Sequence, residues 1–172
     1  MLAGDIKFTE AFARHLARRS RDMLLKHPNH SRQWVLRRLQ RALTLDLAAA
    51  AFEHGIARAT RTARRSTIAG VAAGTAERAS VVSSLIGELG SAPYSSIGLA
   101  RGCAQTGGVL LGWIGPWAWR PALTRLAEHT LSEYDVLVAL VDGAAGIDVD
   151  LVPRLKPLLE SANHGLESLT TP

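Results

Sequence analysis

The chain has little that would mark it as an enzyme. Among its 172 residues there is one cysteine, Cys103, which excludes an intramolecular disulfide and fits a reducing compartment. Aromatic residues are 5% against 47% hydrophobic. The apolar mass is therefore mostly Ala, Leu and Val, a mixture that favours helices over a β-sandwich. No uninterrupted apolar run reaches the roughly 18–20 residues of a simple spanning helix. The first apolar run, ahead of Gly4-Asp5, is too short for the core of a secretory leader. There is no GxxxxGK[ST] loop to cradle phosphates, no HExxH or ExxH pair, and no Cys/His zinc spacing. No catalytic residue, metal or cofactor is expected, and the chain is expected in the cytoplasm, free or at a membrane surface.

Charge is abundant but unevenly placed. The net charge is +5, yet residues 1–65 hold fourteen Lys/Arg against five Asp/Glu, whereas residues 66–172 hold six against ten. The basic part is almost entirely arginine. Such segregation suggests an anionic partner: lipid headgroups, nucleic acid or an acidic protein. The alternative is an arginine-rich solvated face, or docking onto the chain's own acidic half. The candidate contacts form three groups: Arg14, Arg18 and Arg21, on one helix face; Arg37, Arg38 and Arg41; and Arg58, Arg61 and Arg65, again on one face. Guanidinium forks pair bidentately with phosphate.

The periodicity predicts an all-α fold: a single-domain irregular bundle of about six helices over 1–172. Its parts are a basic segment (1–65), a Gly/Ala/Trp-rich segment (66–119) and a mildly acidic segment (120–172). A first helix is expected over 10–26. A second starts near Ser31 and carries apolar residues on two faces, Val35/Leu36, Leu39, Leu43 and Leu47 on one, Trp34, Leu45, Phe52 and Ile56 on another. A helix apolar on two faces is sandwiched between neighbours. The next helix, 67–89, carries Ile68, Ala72, Thr75, Ala79, Val82, Ile86 and Leu89 at alternating spacings of four and three, which is a helix–helix seam. Glu77-Arg78 in its middle calls for water or an internal salt bridge. Gly90-Ser91-Ala92-Pro93 ends it.

A short helix follows over 94–105, broken by Thr106-Gly107-Gly108, and another over 120–130. Residues 136–141, Val-Leu-Val-Ala-Leu-Val, are equally compatible with a buried strand and a helix. Pro153 and Pro157 predict a short or kinked last helix ending near Ser161. The pairs Gly70/Gly74, Gly98/Gly102 and Gly108/Gly112 would each allow a close helix crossing, within the chain or between copies of it in a homo-oligomer.

Trp113, Trp117 and Trp119 flank a Gly/Leu run and are followed by Arg120. At a bilayer, indoles settle at headgroup depth and arginine reaches the phosphates. The alternative is a core corner in which tryptophans plug the gap beside a proline turn. Charges at Glu77, Arg78, Glu88 and Arg101 interrupt every potential span, which leaves surface association or a short inserted hairpin. Glu53, Glu77, Glu128 and His129 are the candidates for a carboxylate metal site. Cys103 is expected to be a buried, inert thiol.

The segment Leu131-Ser132-Glu133-Tyr134-Asp135-Val136-Leu137-Val138-Ala139-Leu140 resembles the stretch leading into the winged helix of MarR-type repressors, with residues 151–169 in place of the two helices that follow it. Pro153 and Pro157 depart from that pattern. The resemblance implies DNA binding. The readings are thus a non-enzymatic helical protein holding an anionic partner, a DNA-binding regulator, and a helical enzyme or metal-binding protein built on Glu and His.

Overall fold

The computed structural model describes residues 31–95, 97–142 and 151–170. These fold as five helices: α1 (Ser31–Ala59), α2 (Arg65–Glu88), α3 (Ile97–Ile114), α4 (Pro116–Asp142) and α5 (Val152–Thr170). The fold is all-α, with no strand among the described residues. The helix expected over 10–26, and with it Arg14, Arg18 and Arg21, lies outside them.

The centre of the bundle is α1, covered by α2, α3 and α4, as its two apolar faces require. Val35, Leu39 and Leu43 join the main core with Val82, Leu85 and Ile86 of α2, Leu137 of α4 and Leu155 of α5. Farther along, Ile56 and Ala57 form a second cluster with Ile68, Trp119 and Leu123. Every residue of the α2 seam, Ile68 through Leu89, is buried. The helix stops at Gly90, whose φ of 70° suits glycine. There the Ser91 N–H donates to the Ile86 carbonyl and the Gly90 N–H to the Gly87 carbonyl, at 3.1 and 2.9 Å. This pair is the Schellman closure.

Three expectations fail for one reason: tertiary packing overrides a local breaker. Thr106-Gly107-Gly108 does not break α3, because Gly108 and Gly112 are where α3 meets α1. A Cβ on Gly108 would lie 2.1 Å from the Phe52 carbonyl oxygen, and one on Gly112 2.7 Å from the Ala59 Cβ. By contrast, a Cβ at Gly70, Gly74, Gly98 or Gly102 meets nothing within 4 Å, so those pairs make no crossing within the described residues.

The strand alternative at 136–141 is excluded, since these residues end α4. Leu137 and Val141 face the main core while Val136 and Leu140 pack with Trp34. Burial on both sides explains the unbroken apolar run. α4 also starts earlier than expected, at Pro116, placing Pro121 inside it. Trp119 and Leu123, four residues apart, are 2% and 1% exposed. At ~25 cal/mol per Å² over roughly 150–250 Å², burial of the indole alone offsets the ~3 kcal/mol of an internal proline. Finally, α5 runs to Thr170 rather than Ser161. Pro153 falls in its first turn, where no donor is missed. Pro157 lies on the exposed side, opposite the buried Leu155, Leu158 and Ala162.

Candidate functional site

The predicted site residues divide in the structure. Arg37 is exposed. Arg38 and Arg41 are engaged by the chain itself: Arg38 Nη1 donates to Glu133 Oε2 at 3.0 Å, and Arg41 Nε lies 2.9 Å from Glu133 Oε1. Glu133 is 8% exposed and links α4 to α1. Arg58, Arg61 and Arg65 remain exposed and come together where the chain turns from α1 into α2. With Thr60, Thr62, Trp113 and Gly115 they line a cleft of about 660 Å³.

The tryptophans divide as well. Trp119 is buried, whereas Trp113 and Trp117 are 72% and 78% exposed. The cause lies in α3. This helix has one charge, Arg101, yet its only fully buried positions are Gly108 and Gly112. Because α3 shows Gly108 and Gly112 to α1, only Ile97 and Leu111 among its large apolar side chains pack against the core clusters. Leu99, Leu110 and Ile114 are exposed along with Trp113. Leu99, Cys103, Thr106, Leu110 and Trp113 follow spacings of four, three, four and three and thus share one helix face. Cys103 on that face is exposed rather than buried, correcting the sequence-based expectation.

The elbow into α4 depends on Gly115, with φ at 122°, and the Trp117 indole lies close to that glycine. From Leu89 to Ala127 there is no carboxylate, while Arg101, Arg120 and Arg125 are present. Between Glu53 and Glu77 there is again none. Among the described residues, no helix is long and apolar enough to cross a membrane.

A second constellation went unseen in the sequence because its members lie far apart in the chain. In the core, Arg78 Nη2 donates to Asp46 Oδ1 at 3.3 Å and to Thr75 Oγ1 at 3.2 Å, and Nη1 donates to Ser161 Oγ at 3.4 Å. Tyr134 Oη donates to Asp46 Oδ2 at 2.5 Å. This is the internal salt bridge that Arg78 called for, and it ties α1, α2, α4 and α5 together. Burial raises the Asp46 pKa, against the opposing Arg78 charge and Tyr134 hydrogen bond.

Two helical turns beyond Asp46, Glu53 is 4% exposed, and burial pushes its carboxyl from 4.5 up to about 7. Its Oε2, the Arg78 Nε and the Thr130 Oγ1 are buried without a protein partner. All three residues line one small, partly open cavity of about 10 Å³, between small side chains such as Ala49, Ala127 and Ala162. The Thr75 hydroxyl has one proton, for which the Val71 carbonyl and the Glu53 carboxylate compete. The available signal was Asp46 and Glu53, seven residues apart on an otherwise apolar face of α1.

The candidate metal ligands do not converge. Glu53 is buried, whereas Glu77, Glu128 and His129 are exposed. Among the described residues no group of three or more His, Cys, Asp or Glu is placed to hold a metal ion. No protein-family model matches this chain, and neither a curated protein nor a solved structure does.

Proposed function

We propose that this protein works as a non-enzymatic interaction protein that docks on an anionic membrane surface through the outer face of α3 and the elbow into α4. The observation carrying this reading is the exposure of Trp113 and Trp117, at 72% and 78%, with Trp113 lining a cleft beside Arg58, Arg61 and Arg65. Indoles so exposed enter the interfacial layer, while guanidinium groups pair with phosphate above it. Nothing in the core requires those side chains outside: replacing them with polar residues would leave the buried clusters intact. DNA binding is less well supported, because Glu133 occupies Arg38 and Arg41, and duplex recognition gives no role to two exposed indoles.

The test is co-sedimentation with vesicles containing anionic lipid. Wild-type protein pellets, with a blue shift of tryptophan fluorescence. Trp113→Ala with Trp117→Ala lowers binding at least tenfold with the circular dichroism unchanged. Pelleting that ignores the double substitution would overturn the reading. So would a lipid-free homodimer that hides both indoles, since a second copy would then be what covers this face.

A further inference from the structure

The cleft at the α1–α2 turn gathers three exposed arginines. Arg58 ends α1, Arg61 lies in the connection and Arg65 opens α2. Folding the turn back brings the three arginines to line one space of about 660 Å³. None has an ion pair among the described residues, and like charges gathered this way repel.

The start of α2 adds to the imbalance. A helix of 24 residues presents the positive end of its dipole at its N-terminus and favours acidic or hydroxyl residues there. Here Arg64 occupies the N-cap position with no side-chain cap, Arg65 follows, and the first turn holds no acid. The Arg65 N–H bonds to the Thr62 carbonyl and the Ile68 N–H to Arg64, but the Ser66 and Thr67 amides have no backbone acceptor. The Thr60 and Thr62 hydroxyls are 3.2 Å apart and share one hydrogen bond, so one of their two protons is left to donate. The polar side chains lining the cleft are the three arginines and the two threonines, none of them acidic, and Trp113 forms a wall.

We propose that this cleft is a binding site for a phosphomonoester group, held between Arg58, Arg61 and Arg65. Planar guanidinium forks match the oxygens of a phosphate dianion. A carboxylate or a singly charged phosphodiester leaves part of this set unpaired. The same chemistry comes from a lipid headgroup or from a soluble phosphate ester. The lipid source rests on the membrane reading above, because Trp113 borders both the cleft and the apolar face of α3.

The test compares phosphatidic acid vesicles with phosphatidylglycerol vesicles of matched zeta potential, and adds a soluble arm with glycerol phosphate. The expected result is at least tenfold tighter binding to phosphatidic acid. Joint Arg58→Lys, Arg61→Lys and Arg65→Lys substitution abolishes that preference yet keeps general attraction to both lipids. These exposed positions do not test the core, and unchanged circular dichroism of the lysine variant shows that it folds. Vesicle binding without a headgroup preference overturns the phosphate site and leaves membrane docking standing. Binding of glycerol phosphate, lost in the lysine variant, without any vesicle binding supports the site and removes the membrane reading. Wild-type preference surviving the lysine variant overturns the assignment to these arginines.

Discussion

Glu53→Gln tests the account of the core most sharply. The carboxyl titrates near 4.5 when exposed and near 7 in the fold, chiefly because burial disfavours its charged form. Thr75 and the Arg78 charge oppose this shift, and the Asp46 charge adds to it. From α4 the cavity is faced by Ala127 and Thr130, and from α5 by Ala162, Gly165 and Leu166, none of which titrates. A raised carboxyl pKa means that the folded state holds the proton more tightly than the unfolded chain does. The stability from Glu53 is therefore fully present below pH ~4.5, falls as pH rises towards about 7, and is constant above. Some 2.5 pKa units correspond to about 3 kcal/mol. Glutamine keeps the shape and cannot ionise. Relative to wild type, the variant should gain about 3 kcal/mol between pH 4.5 and pH 8, or roughly 6–12 °C in Tm for a chain of this length. Asp46 titrates in both proteins, so its contribution largely cancels in the difference. Urea unfolding at pH 4.5, 5.5, 6.5 and 8, followed by circular dichroism and fluorescence together, measures the effect. A stability difference that stays flat over this range would refute the buried, ionisable Glu53.

Asp46→Ala should cost about 3–5 kcal/mol, because it strands the Arg78 guanidinium in the core and removes the Tyr134 acceptor; a loss under 1 kcal/mol in denaturant titration would contradict this. The glycines give a paired test by thermal unfolding. Gly70→Ala, where the added methyl meets open space, should stabilise by about 0.5–1 kcal/mol. Gly108→Ala, driven against the Phe52 carbonyl, should cost about 1–3 kcal/mol or more as α3 is pushed from α1. Equal effects at the two sites would show that α3 does not sit as described.

The sequence went a long way towards the bundle. In α2, the alternation of four and three from Ile68 to Leu89 matches residues that are all buried, because helix geometry alone decides which side chains share a face. The two apolar faces of α1 likewise announced a central helix. The failures were at local breakers: Gly107-Gly108, Pro121 and Pro157 weaken an isolated helix, yet packing outweighs that cost in the folded chain. The candidate surface was half legible. The arginines and tryptophans stood out by type, but which were engaged was not readable.

Spacing along the chain thus determined the all-α class, the seam of α2 and the concentration of arginine. Only the folded arrangement decided that Trp119 is interior while Trp113 and Trp117 face outward, that Glu133 occupies Arg38 and Arg41, and that Asp46 reaches Arg78 and Tyr134 across 32 and 88 residues. The physical reason is that local periodicity orients a face, whereas the partner covering it is set by how closely two backbones approach. In α3 that approach is made by glycine, and so Leu99, Leu110, Trp113 and Ile114 are left facing outward.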